Sequence, residues 1–130
     1  MDFYLKEGGM RTQLEYGVLD ISGNEEFGYR PFQLMVSSIA GCSASVFRKV
    51  LEKKRLDIED LKVSAEVERN PEEANKIESI HLNFTVKGVQ LSIDQMEKSL
   101  EIARKNCSMV RTIEDTVKVT ETIEVINISR

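Results

Sequence analysis

The sequence predicts an α+β domain. Three observations carry that expectation: strand-like segments gather near both ends and in the middle of the chain, two helical segments separate them, and the order lacks a regular βαβ alternation. Near the N-terminus, Phe3, Leu5, Leu14, Val18, Leu19 and Ile21 are interrupted by Gly8-Gly9, Gly17 and Ser22-Gly23-Asn24, which reads as short strands joined by turns.

Arg30-Pro31 opens a different texture. Pro suits a first helical position, and the run after it predicts a long helix over 32–54. Its first half places Phe32, Leu34, Met35, Val36, Ile39, Ala40, Cys42, Ala44, Val46 and Phe47 in nearly every direction around the axis, so this central helix is expected to be buried on all sides. Its second half becomes basic through Arg48, Lys49, Lys53, Lys54 and Arg55, where the negative end of the helix dipole favours cations.

Val63, Ala65 and Val67 then alternate with polar residues, as do Ile80, Leu82, Phe84 and Val86, giving two strands with one dry face each. The polar link opened by Asn70-Pro71 predicts an antiparallel hairpin between them. Ser92 followed by Gln95 forms a capping box, and Ile93, Met96, Leu100, Ala103, Cys107 and Val110 recur at helical steps, so Cys107 is expected on the inward stripe of a second continuous helix. Val117, Val119, Ile123 and Val125 share a period of two and predict a closing strand. A helix apolar on all sides needs more cover than one small sheet provides, so a second copy of the chain is expected to supply it as an intimate homodimer.

A chain of 130 residues fits a single domain, 1–130, with a real core. Its 22 acidic and 18 basic side chains leave a net charge of −4, which argues against nucleic acid as a partner. The segment MDFYLKEGGM lacks the apolar stretch of a signal peptide, and no run of about 18 uncharged apolar residues occurs, so neither export nor membrane insertion is expected and the location is read as cytoplasmic. In a reducing compartment the two cysteines should be free thiols unless chemistry oxidises them.

Cys42 lies among the small residues Ala40, Gly41, Ser43 and Ala44, which leaves room beside its sulfur; Gly41, costly inside a helix, implies close backbone approach or access for another molecule. Cys107, on another inward face, makes the pair a candidate dithiol. A thiol nucleophile must ionise, and apolar burial opposes that, so a nearby cation is expected, with Arg30, Arg11 and Arg111 as candidates. The single histidine, His81, falls on the polar face of its strand. With no paired Cys/His spacing and no phosphate-loop or nucleophile-elbow pattern, metal, nucleotide and serine-hydrolase readings are weak.

The segment from Arg30-Pro31 through Gly41-Cys42-Ser43-Ala44 resembles the central-helix cysteine motif of the OsmC/Ohr family, and Ala103 to Val110 resembles its second-cysteine segment. The order of elements matches along the whole chain, and the Gly-Cys-Ser-Ala and Cys-Ser sequences look closest to the YhfA-like branch. The resemblance implies an OsmC-like fold, with antiparallel sheets packed around two helices and an interwoven homodimer with active sites at the subunit interface. It also implies a thiol-dependent peroxidase that reduces organic hydroperoxides: Cys42 becomes a sulfenic acid, Cys107 resolves it to a disulfide, and an external dithiol reduces that bond without metal or bound cofactor. The family's peroxidases carry a glutamate immediately after the motif proline, where it orients an arginine over the thiolate. Here Phe32 stands in that place, followed by Gln33, and neither Arg11 nor Arg30 can be matched to the family's arginine.

Phe32, Gln33, Met35 and Phe47 are the candidate lining of an apolar substrate pocket. The competing expectation is a dimeric protein that binds an apolar ligand or senses redox state, with little peroxidase activity.

Overall fold

The computed structural model describes residues 1–129. The chain forms two compact units, Met1–Ser37 and Ser38 onward, with the division inside the long helix. In the first unit, β1 (Phe3–Lys6), β2 (Gly9–Gln13) and β3 (Val18–Ile21) make an antiparallel meander in that order. Two buried hydroxyls secure it: Thr12 Oγ1 donates to the Asp2 carbonyl at 2.7 Å and Ser22 Oγ to the Gly8 carbonyl at 2.6 Å. Glycine and short polar turns between the apolar residues made these strands legible.

Helix α1 (Pro31–Lys53) begins at the proline and ends with a left-handed residue, Arg55, at φ 57°. The Leu56 N–H bonds the Leu51 carbonyl and the Arg55 N–H bonds the Glu52 carbonyl, closing the helix with paired reverse bonds. In the second unit, β4 (Asp60–Asn70) and β5 (Lys76–Gly88) form the expected antiparallel hairpin. Asn70 starts its turn, its side-chain oxygen accepting the Glu72 N–H at 3.0 Å.

The helical segment after β5 differs from expectation. It is α2 (Ile93–Asn106), a break at Cys107, and then the short α3 (Ser108–Ile113), so the second unit holds two helices after β5 where one was expected. Ser92 does cap α2, its Oγ accepting the Gln95 N–H at 3.3 Å. Strand β6 (Lys118–Asn127) then pairs with β5 in parallel, giving the order β4-β5-β6. The expectation of purely antiparallel sheets is corrected at this pair. The helical crossover carries the chain back to the start of β5, so β6 runs in the same direction as its neighbour.

The mixed α+β class holds. Ile80, Leu82, Phe84 and Val86 of β5 are fully buried, as their alternation required. Phe47 of α1 meets Phe84 edge-on, with ring centres 5.5 Å apart and planes at 69°. That contact fixes α1 over the central strand. Met96, Leu100 and Ala103 of α2 fill the same core.

Candidate functional site

Two residues on α1, separated by a third of a turn, serve different masters. Ser43 is wholly buried, whereas Cys42 keeps partial exposure. The core contact of Phe47 sets the rotation of the helix and leaves the Cys42 sulfur at the turn between α2 and α3.

That turn is made by Cys107. With φ −85° and ψ 108° it is extended, ending one helix and starting the next. Its N–H donates to the Arg104 carbonyl at 3.4 Å and its carbonyl accepts the Arg111 N–H at 3.0 Å. The first N–H groups of a helix have no partner within it. Here Ser108 Oγ lies 3.9 Å from the Cys42 sulfur, and the N–H groups of Ser108 and Met109 act as donors that lower its pKa.

Cys42 and Cys107 act on one another's protonation, and their acidities diverge. Cys42 is pulled below the ordinary thiol range chiefly by the Met109 N–H. Burial opposes this, while the Cys107 thiol and the hydroxyl and N–H of Ser108 reinforce it. Cys107 is pushed up, first by burial, then by Cys42 and the charge there; the N–H groups of Val110 and Met109 pull the other way. The pair therefore divides into a sulfur disposed to ionise and a sulfur disposed to keep its proton.

The arginines named from sequence have partners elsewhere. Arg11 makes a two-pronged contact with Asp20, Nε to Oδ1 at 2.6 Å and Nη2 to Oδ2 at 3.0 Å. It holds the Asp20 carboxyl down at about 2, with Lys6 assisting. Arg30 lies over its own neighbour, the guanidinium carbon 4.8 Å from the centre of the Phe32 ring. Arg111, on α3, pairs with Glu114 at 3.0 Å. The groups that lower the Cys42 pKa are neutral donors, so backbone amides at the Cys107 break occupy the role expected of a cation.

Sequence reasoning missed Ser108 and Met109 because the helical spacing continued through Cys107. Asn106 and Ser108, residue types that favour caps and turns, flank the break and were the available signal.

Among the candidate lining residues, Phe47 is corrected: it is fully buried against Phe84, so it builds the core and lines no accessible pocket. In the first unit, Phe32 is half-buried beneath Arg30, and Gln33 and Met35 are exposed. His81 stays on the polar face, with Nδ1 2.6 Å from Thr120 Oγ1 and Nε2 3.0 Å from Thr122 Oγ1. Among the described residues, no group of three or more His, Cys, Asp or Glu side chains could hold a metal ion.

The fold and the two free thiols define a mixed α+β protein with a pair of cysteines at one turn. Residues 22–122 match the family model described as OsmC-like protein, and the chain belongs to that family. It is 30% identical over 97 residues to the protein YhfA of Escherichia coli (strain K12), a match spanning 74% of this chain and 72% of that one. A hypothetical protein from Aquifex aeolicus VF5 superposes with a TM-score of 0.87 at 19% identity, covering 98% of this chain and 96% of that one. A Legionella pneumophila protein described as an organic hydroperoxide resistance protein OsmC superposes with a TM-score of 0.74 at 19% identity, covering 95% of this chain and 94% of that one.

Proposed function

We propose that this protein is a thiol-dependent peroxidase for organic hydroperoxides, acting through Cys42 and Cys107. The observation that carries the reading is the Cys42 sulfur set against the turn made by Cys107 and Ser108, with Cys42 lowered in pKa and Cys107 raised. The Cys42 thiolate attacks the terminal oxygen of ROOH and breaks the O–O bond. The alkoxide leaves and takes a proton from water as ROH, and Cys42 becomes a sulfenic acid. Cys107 then loses its proton and attacks the Cys42 sulfur, forming the disulfide and expelling hydroxide, which with that proton makes water. An external dithiol returns two electrons and two protons. The order suits the pair: the more acidic thiol meets the oxidant, and the less acidic one acts after the first sulfur has been oxidised.

Family membership supports this reading, as do relatives described as organic hydroperoxide resistance proteins. Single-turnover oxidation by an organic hydroperoxide tests the assignment. Wild type should react faster than a free thiol, and Cys42→Ser should not react; a wild-type rate no faster than a free thiol would sink it. A second reading, slow redox sensing or apolar-ligand binding, is favoured by the neutral character of the donors at Cys42. It predicts that slow rate together with ligand affinity unchanged when both cysteines are replaced by alanine.

A homodimer belongs to the same proposal. An 18-residue window of α1 has a mean hydropathy of 1.3, yet only 28% of it is buried. Ala40, Gly41, Ala44, Leu61 and Val63, together with the charged Arg48, Glu59 and Asp60, line a groove of about 630 Å³ in the second unit. A Cβ at Gly41 would meet nothing within 4 Å, so the close approach expected there is absent within one chain. We assign the groove to a second copy, which would cover apolar surface of α1 and β4 together. A bilayer is the poorer cover because the exposed Gln33, Ser37, Ser38 and Ser45 interrupt the apolar surface. A monomeric mass in solution at micromolar concentration would remove the dimer.

A further inference from the structure

We propose that Ser43, Glu121 and Arg104 form a positioning clamp that sets the approach of Cys42 to Cys107, and so the ease with which their disulfide closes. The inference deepens the peroxidase reading and rests on its use of that sulfur pair. It begins with a misfit in β6. Val117, Val119, Ile123 and Val125 occupy alternate positions, and Glu121 stands where the next apolar residue of that series belongs. Its side chain is only 5% exposed. A carboxylate on the dry face of a strand is costly to desolvate, and an apolar residue there would often be no less stable.

Its partners explain what it accomplishes. Glu121 Oε2 accepts the hydroxyl of Ser43 at 2.9 Å, and Ser43 is the residue next to Cys42 on α1. Glu121 Oε1 lies 3.5 Å from Arg104 Nη1 and has no hydrogen-bond partner of its own. Arg104 Nη2 also donates to the Val119 carbonyl at 2.6 Å, tying the end of α2 to β6. The carbonyl of Arg104 accepts the Cys107 N–H. One carboxylate thus links the helix that presents the first sulfur to the residue that anchors the backbone of the second. These groups touch neither sulfur. They act by position, and reacting atoms misplaced by about 1 Å lose rate and equilibrium advantage steeply.

The test uses glutathione, which reads the sulfur pair without requiring peroxide chemistry. The Cys42 thiolate attacks glutathione disulfide and releases one glutathione thiolate. Cys107 loses its proton and attacks the mixed disulfide at the Cys42 sulfur, releasing the second. Two electrons pass from protein to glutathione, and the equilibrium constant measures how well the sulfurs are held together. Glu121→Gln and Ser43→Ala should each weaken protein disulfide formation by about fivefold or more at unchanged fold. Ser99→Ala is the control: Ser99 is equally buried, but its hydroxyl bonds the Gln95 carbonyl and Lys54, away from both sulfurs. It should leave the equilibrium unchanged.

Folded Glu121→Gln and Ser43→Ala variants whose equilibrium matches wild type would overturn the clamp. So would an equal shift in Ser99→Ala, or a wild-type pair that never closes. If Glu121→Gln does not fold, Ser43→Ala decides alone, since it removes a single oxygen. A slow reaction with organic hydroperoxide beside intact glutathione shifts would sink the peroxidase reading and leave the clamp standing.

Discussion

The Cys42 sulfur lies 3.9 Å from the hydroxyl oxygen of Ser108, at the turn that Cys107 makes, and the two cysteines are displaced from the ordinary thiol pKa in opposite directions. Alkylation by iodoacetamide followed against pH should therefore resolve two phases. Cys42 should inflect below the free-thiol value of about 8.5 and Cys107 above it. Mass spectrometry of the alkylated peptides assigns each phase. Reversed order, or a single phase at the free-thiol value, would contradict the assigned polarity of the pair. The stability linkage has matching signs. The lowered Cys42 contributes stability present above its unfolded pKa and lost as pH falls through its folded one, whereas the contribution of Cys107 is lost as pH rises through its raised value.

Ser108 supplies two of the donors at Cys42, a hydroxyl and a backbone N–H. It occupies the first position of α3, where proline is tolerated, and the residue before it is extended, as proline requires. Ser108→Pro should therefore fold while losing both donors. The Cys42 inflection should move up, and alkylation near pH 7 should slow by about threefold or more, with Ser108→Ala intermediate. An unchanged profile in a folded Ser108→Pro protein would show that these donors do not set the acidity.

The contrast between what the sequence disclosed and what it hid follows from the range of the interactions. The alternation of Ile80, Leu82, Phe84 and Val86, the proline start of α1 and the Ser92 cap are local signals, and each element formed where it was expected. The direction of β6 depends on where a crossover lands, which periodicity does not encode. At Cys107 the apolar spacing remained helical across a break in the backbone, because Cys107 and Val110 face the same core from either side of it. The two cysteines were visible as a candidate pair, but the donors at Cys42 were not. An ionisable sulfur calls for positive potential, and a sequence shows arginines more readily than the free amides of a helical turn.

Gly41 offers a direct test of the proposed second copy. Within one chain an added Cβ there meets open space, so Gly41→Ala should raise helix stability by about 1 kcal/mol if nothing else packs on that face. Gly41→Glu would place a charge where a partner helix or strand is proposed to lie. Sedimentation should then show dissociation at concentrations where wild type is dimeric, with dimer affinity lowered by about tenfold or more. A dimer as tight as wild type in Gly41→Glu would mean that this face lies outside any interface.

The end of α1 makes a separate prediction about stability. Arg55 adopts a left-handed conformation at φ 57° so that Leu56 and Arg55 can return their N–H groups to the Leu51 and Glu52 carbonyls. Every residue with a Cβ is strained there, and glycine is not. Arg55→Gly should therefore stabilise the fold by about 1 kcal/mol, seen as a higher denaturant midpoint with unchanged slope. Losing one basic residue near the negative end of the helix dipole offsets a few tenths of a kcal/mol of that gain at low salt, so the net increase should grow as ionic strength rises. Arg55→Ala relieves no backbone strain while losing the same charge, and it should be no more stable than wild type. Equal stabilisation by alanine and glycine would place the effect in the side chain and rule out the backbone explanation.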